Sequence, residues 1–200
     1  MSGVVTDGRT KPVKPRRLPG VDGVWVFIGA DSVIFGILFL NFMKDRRESP
    51  ALFEASRHLL NSNLGGVDTL MLLTSSWLVA LAVQAMKRDL ADRQSYYFLG
   101  GAITGFAFIL SKSFEYFQKF SHGINPGSNP FFMWYFTLTG IHLIHVVVGT
   151  GLLVYLFVRA RRGSYGSLNK AVPESVASYW HLVDMLWIVL FPLLYLMRAA

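Results

Sequence analysis

Residues 131–158 read FFMWYFTLTGIHLIHVVVGTGLLVYLFV and contain no Asp, Glu, Lys or Arg. A helix needs about 20 apolar residues to cross the hydrocarbon core of a bilayer, and this stretch exceeds that length. An α-helix also pairs its backbone polar groups within itself, as a lipid environment requires. The stretch therefore predicts a transmembrane α-helix.

Four further apolar stretches of comparable length lie along the chain. Together the five predict an all-α, polytopic membrane protein built as a five-transmembrane-helix bundle, with helices at about 24–43, 67–86, 96–117, 131–158 and 175–197. Pro192 lies inside the last stretch and is expected to bend that helix. Small residues are expected to let helices approach closely at Gly101 and Gly105, and at Gly29, Ser32 and Gly36.

The composition agrees with a membrane environment. Of the 200 residues, 52% are hydrophobic and only 16% are charged, too few to cover a water-facing surface. The chain has no Cys, which excludes disulfides, thiolate catalysis and thiolate-bound iron–sulfur clusters. The net charge of +7 comes from Lys and Arg in the tail and short loops, where they interact with lipid headgroups, so no nucleic-acid partner is expected.

The distribution of positive charge predicts an orientation. Residues 1–20 are polar, basic and proline-containing, and we interpret them as a disordered cytoplasmic tail rather than a cleavable signal peptide. Residues 21–200 then form the membrane domain. Lys and Arg are more numerous in the tail and in the segments 87–93 and 159–173 than in the other loops. This asymmetry predicts the N-terminus inside and the C-terminus outside.

Several ionisable residues lie within the apolar stretches. A buried ionisable group costs several kcal/mol unless it is paired or hydrated, so each is expected to face the bundle interior. Three pairs are separated by three residues and therefore share a helix face. We expect the pair of Lys112 with Glu115 to be an ion pair. The pairs are Lys112 with Glu115, His142 with His145, and His181 with Asp184, while Asp31 and Asp68 lie in the first two stretches.

The imidazoles leave three roles open. They can bind haem or a metal, because imidazole is the commonest such ligand, they can transfer protons, or they can serve a structural hydrogen-bonded network. We favour the structural network, since no opposing His pair or Glu-x-x-His arrangement accompanies them, and we expect no catalytic and no metal-binding residue. The expected intramembrane polar cluster comprises Asp31, Glu115, His142, His145, His181 and Asp184.

Individual roles within that cluster are also predicted. We expect Asp31 to be protonated or hydrogen-bonded inside the bundle, because a bare carboxylate at that depth is costly. We expect His142 and His181 to stabilise packing among the last helices.

Two longer strings carry a family resemblance. Residues 179–187 read YWHLVDMLW and residues 139–149 read TGIHLIHVVVG. These resemble subunit III of the haem-copper oxidases, whose last helix carries Tyr-Trp-His-Phe-Val-Asp before a Trp, and whose preceding helix carries Thr-Gly-x-His-x-x-His-Val-x-x-Gly. Leu182 replaces the usual Phe. The other matching positions are Glu115, Tyr116, Gly149, Glu174, Tyr179, Trp180 and Trp187.

The resemblance covers about residues 21–198 and implies the shorter, five-helix form of the family. Many oxidase members have a membrane-embedded Glu in the first helix, and this chain has Asp31 there instead. Residues 25–31, WVFIGAD, are most similar to NorE-type members, which accompany nitric oxide reductases.

The resemblance implies an accessory subunit with no cofactor of its own, in the inner or plasma membrane of a prokaryote. Its expected partners are a catalytic subunit I-type protein, which holds the haem and in oxidases the copper, other respiratory subunits, and phospholipids in a cleft. The complex would reduce O2 to water with electrons from cytochrome c, or NO to N2O. It would also sustain proton uptake and protect the catalytic subunit.

Two rival interpretations remain open at this point. One is a stand-alone membrane haem protein that uses His142, His145 or His181 as axial ligands. The other is a proton-coupled transporter with Asp31, Glu115 and the His residues as a relay, although the sequence shows no inverted repeat.

Overall fold

The computed structural model of this chain describes residues 20–162 and 170–197. These residues form six α-helices, and a π-helix continues the last of them. The predicted tail, apart from Gly20, and part of the last predicted loop lie outside the described residues. The helices are α1 (Asp22–Glu48), α2 (Pro50–Arg57), α3 (Ser62–Lys87), α4 (Ala91–Ser121), α5 (Pro130–Arg161) and α6 (Ala171–Phe191), followed by the π-helix Pro192–Leu196.

Five of these helices are long and apolar enough to cross a membrane, which confirms the predicted bundle. The candidate spans are Gly23–Glu48, Ser62–Lys87, Asp92–Ser121, Pro130–Arg161 and Ala171–Leu196. Each span begins before its predicted first residue, and all but the last also end beyond the predicted last residue. The charged residues 44–48, which lie beyond the predicted end of the first helix at residue 43, are the last turns of α1.

The sequence analysis missed α2, a short helix with Pro50 at its first turn, where a missing N–H costs nothing. Two longer helices begin at asparagine caps, whose side chains accept hydrogen bonds from free backbone N–H groups. Asn61 accepts from Asn63 and Leu64 at the start of α3, and Asn129 accepts from Phe132 at the start of α5.

The helices pack in a fixed order around α6. Helix α3 lies against α4, and α4 against α5, while α6 contacts α3, α5 and α1. At one end, the backbone N–H of Val21 donates to Ser175 Oγ at 2.9 Å. At the other end, Arg46 donates to the Met197 carbonyl at 2.9 Å. Helices α1 and α6 therefore run in the same direction, and five spans place Gly20 and Met197 at opposite membrane faces.

Glycines at two positions make room for the indole ring of Trp180. A Cβ atom at Gly149 would lie 2.5 Å from Trp180 Cε3, and a Cβ at Gly105 would lie 2.8 Å from Trp180 Cη2. The expected close approach at Gly101 and Gly105 is confirmed, since a Cβ at Gly101 would lie 3.0 Å from Val79 Cγ2. These glycines let α4 and α5 close around α6.

The corresponding expectation for the first helix is wrong. Nothing lies within 4 Å of a Cβ built at Gly29 or Gly36, and the Ser32 hydroxyl donates to the Ile28 carbonyl of its own helix. This face of α1 is open because α1 packs through a different side, which carries the buried Asp31 and Phe35.

Pro192 changes the helical hydrogen bonding, as its missing N–H requires. The chain passes from α-helix to π-helix at this residue, and the backbone N–H of Met197 donates to the Pro192 carbonyl at 2.9 Å. The predicted disturbance therefore takes the form of a wider turn, which carries Tyr195 into the bundle.

The fold makes a prediction about two glycines on α5. Gly149→Ala should lower the free energy of unfolding by about 1–3 kcal/mol, because the new methyl group overlaps Trp180. Gly151→Ala is the matched control, since nothing lies within 4 Å of its Cβ position. Thermal unfolding in detergent measures both. Equal melting temperatures for the two variants would contradict the packing described.

Candidate functional site

The polar residues inside the membrane form three separate groups between helices. The sequence predicts one cluster of six residues, but the structure distributes them, since Glu115, the pair of Asp31 with His145, and His181 have their partners on different helices. Glu115 belongs to one group, Asp31 and His145 to a second, and His181 to a third. His142 lies between aromatic rings, and Asp184 is buried beside Ser76.

The first group surrounds the ammonium of Lys112, whose side chain is 1% exposed. Its Nζ lies 2.6 Å from Glu115 Oε2 and 2.9 Å from Asp68 Oδ2. Nζ also donates to the Tyr195 hydroxyl at 3.0 Å. The predicted ion pair of Lys112 with Glu115 is thereby found, but Asp68 and Tyr195 were not foreseen as its partners.

Two further hydrogen bonds engage the partners of Lys112. We call the group of Asp68, Ser111, Lys112, Glu115 and Tyr195 the Lys112 cluster. The Tyr195 hydroxyl donates to Glu115 Oε1 at 3.0 Å, and the Ser111 hydroxyl donates to Asp68 Oδ1 at 2.6 Å. The ammonium also lies 4.6 Å from the centre of the Trp187 ring, within range of a cation–π contact. The Lys112 cluster therefore joins α3, α4 and the π-helix in the buried interior of the bundle.

The second group connects α1 to α5. His145 Nδ1 lies 2.8 Å from the Ile141 carbonyl oxygen, which only accepts, so this nitrogen carries a proton. His145 Nε2 lies 3.2 Å from Asp31 Oδ1. A hydrogen bond at this distance requires a proton on one of the two atoms, either His145 Nε2 or Asp31 Oδ1. The expectation that Asp31 is hydrogen-bonded inside the bundle agrees with this geometry.

His142 is fully buried and packs by its ring faces and edges. It meets Phe108 edge-on, with 5.7 Å between ring centres, and lies tilted against Trp187 at 5.2 Å. Neither ring nitrogen has a hydrogen-bond partner among the described residues. Phe108 and Trp187 therefore pack directly against the imidazole of His142.

The third group is a row of hydroxyls on α3 that form hydrogen bonds with Trp and His side chains of α6. Trp180 Nε1 donates to Ser75 Oγ at 3.1 Å, and Trp187 Nε1 donates to Thr69 Oγ1 at 3.0 Å. The Ser76 hydroxyl lies 2.6 Å from His181 Nδ1. Sequence reasoning missed these hydroxyls, although small polar residues recurring in an apolar stretch are a usable signal.

The remaining motif residues also hold helices together. The Tyr116 hydroxyl is 2.6 Å from Thr139 Oγ1, and Tyr179 donates to the His145 carbonyl at 3.0 Å. At the membrane edge, Glu174 accepts from the Gly20 backbone at 3.3 Å and lies 3.0 Å from Lys87 Nζ. Within the described residues, no group of three or more His, Asp or Glu side chains is placed to hold a metal ion.

The Lys112 cluster predicts a large effect on stability. Lys112→Met removes the ammonium and leaves Asp68 and Glu115 as unpaired buried carboxylates, so the free energy of unfolding should fall by about 3–5 kcal/mol. Ser113→Ala is the control, because this exposed neighbour bonds only to the Ile109 carbonyl of its own helix. Thermal unfolding in detergent measures the difference. A Lys112→Met protein as stable as the control would contradict the role given to the cluster.

The bond between Asp31 and His145 predicts a contrast between two substitutions at one position. Asp31→Asn keeps a side chain that can donate to His145 Nε2, so folding and assembly should persist. Asp31→Leu has similar size and leaves that nitrogen unpaired, which costs about 1–3 kcal/mol. The yield of monodisperse protein and its melting temperature distinguish them. Loss of the folded protein with Asp31→Asn would refute the arrangement.

Comparison with known proteins finds similarity along the whole chain. The family model described as cytochrome c oxidase subunit III matches residues 20–198. A protein of Alkalihalophilus pseudofirmus named cytochrome c oxidase subunit 3 is 28% identical over all of both chains. Proteins of Staphylococcus epidermidis and Staphylococcus aureus named probable quinol oxidase subunit 3 are each 25% identical, over 95% of this chain and 92% of theirs.

The matched region contains all five spans and all three polar groups. It also contains residues 139–149 and 179–187, which form the contacts of α5 and α6 described above. This match shows that the chain belongs to the cytochrome c oxidase subunit III family.

Proposed function

We propose that this chain is an accessory subunit of a respiratory haem-copper complex and that it stabilises the catalytic subunit without a redox centre of its own. The observation that carries the proposal is the use of the motif residues. Trp180, Trp187, Glu115 and Tyr179 all make contacts between helices of this chain, Glu115 through the Tyr195 hydroxyl. Groups engaged in this way support a scaffold rather than a catalytic centre.

The rival interpretation as a haem protein has little support from the geometry. His142 is enclosed by Phe108 and Trp187, and both nitrogens of His145 are engaged by Ile141 and Asp31. His142 and His181 each retain a ring nitrogen without a described hydrogen-bond partner, and the His142 ring is fully buried. Haem, and in oxidases copper, is therefore assigned by this proposal to the partner subunits.

The proposed complex reduces O2 to water. The curated relatives are named as subunits of a cytochrome c oxidase and of quinol oxidases, so either cytochrome c or a quinol is a candidate electron donor. Residues 25–31 support the NorE-type alternative, in which the complex reduces NO to N2O. The composition of the purified complex distinguishes these possibilities.

The bilayer itself is a further proposed partner. Several α1 side chains project away from the bundle, including Val26 at 75% and Leu40 at 73% exposure. We expect phospholipid acyl chains to cover this surface, since the open glycine positions of α1 leave room along it. The five spans and the bacterial relatives support a multi-pass protein of a prokaryotic membrane. The orientation with the N-terminus inside stays a prediction.

The test is purification of the chain from its native membrane. With a C-terminal tag and mild detergent, we expect a haem-bearing membrane subunit to copurify and to dominate the visible spectrum of the sample. The haem types and the activity with O2 or NO then identify the complex. Recovery of the chain alone, colourless and monodisperse, would overturn the proposed role while leaving the family fold intact.

A further inference from the structure

Helix α6 presents an imidazole on the outer surface of the bundle. His181 is exposed, although its neighbours Trp180 and Leu182 are buried. Its Nδ1 is engaged at 2.6 Å by Ser76 Oγ. Its Nε2 has no hydrogen-bond partner among the described residues, on a side chain that the bundle leaves exposed.

The depth of His181 makes that exposure costly. The residue lies ten positions after the start of α6 at Ala171 and fifteen before Leu196, which corresponds to roughly 15 Å and 22 Å along the helix axis. It therefore lies near the middle of a hydrocarbon core about 30 Å thick. Neither water nor a lipid headgroup reaches this depth, and an acyl chain offers no hydrogen bond.

Three other exposed polar side chains in the spans do not share this problem. Ser32, Thr74 and Ser113 each donate to a carbonyl four residues earlier in their own helix, at 2.7, 2.8 and 2.8 Å. Such bonds satisfy the hydroxyl whether lipid or protein lies outside. His181 needs an external partner to satisfy its second nitrogen.

An apolar surface surrounds this imidazole. Met185 and Ile188 follow at spacings of four and seven residues, on the same side of α6, and are 57% and 45% exposed. On α3, Leu73 and Trp77 flank Ser76 and are 44% and 64% exposed. We call these five exposed residues the His181 face: Leu73, Trp77, His181, Met185 and Ile188.

We propose that a transmembrane helix of the catalytic subunit packs on the His181 face and supplies a side-chain or carbonyl group that hydrogen-bonds His181 Nε2. This inference rests on the proposed function and names the surface through which it is exerted. A partner helix fits better than lipid because it covers Met185 and Ile188 and also satisfies the nitrogen. Hydrogen bonds of this kind between helices hold membrane subunits in register.

Site-specific photocrosslinking tests the surface in the intact complex. A benzophenone amino acid replaces Met185 in the tagged full-length chain, and Leu110 on α4, at 55% exposure, provides the matched control. After irradiation of native membranes, we expect a covalent adduct with the haem-bearing subunit from position 185 and none from position 110. An adduct from position 110 alone, equal adducts from both, or none from either overturns the inference.

Recovery of the complex separates the two levels of the proposal. If the haem-bearing subunit copurifies but crosslinks elsewhere, only the assigned surface is wrong. If no such subunit copurifies with the unmodified chain, the proposed function fails and the inference fails with it.

A pair of substitutions tests the hydrogen bond itself. His181→Phe keeps a ring of similar size but removes both nitrogens, and Ser76→Ala removes contacts inside this chain only, to His181 and to Asp184. We expect His181→Phe to lower the amount of haem-bearing subunit retained after detergent washing by roughly three- to tenfold relative to Ser76→Ala. The melting temperatures of the two isolated chains should be similar. Equal retention of the catalytic subunit by both variants overturns the inference.

Discussion

The buried ammonium of Lys112 is the constraint on which the arrangement of this bundle depends. A charge in the membrane interior is tolerated only when opposite charges and hydrogen bonds surround it, and here they come from three parts of the chain. Asp68 lies on α3, Glu115 on α4 and Tyr195 on the π-helix. Apolar packing alone leaves helices free to slide, because lipid tails and side chains are alike. The Lys112 cluster fixes both the order and the depth of these elements.

The other buried polar groups extend the same principle to the remaining helices. The pair of Asp31 with His145 connects α1 to α5, and the bonds of Trp180 and Trp187 to hydroxyls connect α6 to α3. Residues that suggest haem binding or proton transfer in the sequence are thus largely occupied by contacts within the chain. His181 differs, since it is exposed and only its Nδ1 has a described partner. In the proposed complex, His181 is therefore the group left for attachment to the catalytic subunit.

Features with a local cause were predictable from the sequence, and features with a cause across helices were not. The five spans follow from hydropathy, and the pairing of Lys112 with Glu115 follows from a spacing of three residues. Periodicity assigns a residue to a helix face but does not name the helix opposite, so one predicted cluster became three groups. For the same reason, Gly29 and Gly36 were expected at a contact and lie in open space. Helix α2 was missed because it is short and interrupts no apolar stretch.

The central claim is that the haem chemistry of the complex resides outside this chain, and the visible absorption spectrum of the isolated chain tests it most directly. The chain would be produced without its partner subunits in haem-replete cells and purified in detergent. The account predicts a folded, helical protein without a Soret band. A stoichiometric Soret band that disappears in His142→Ala or His145→Ala would contradict it.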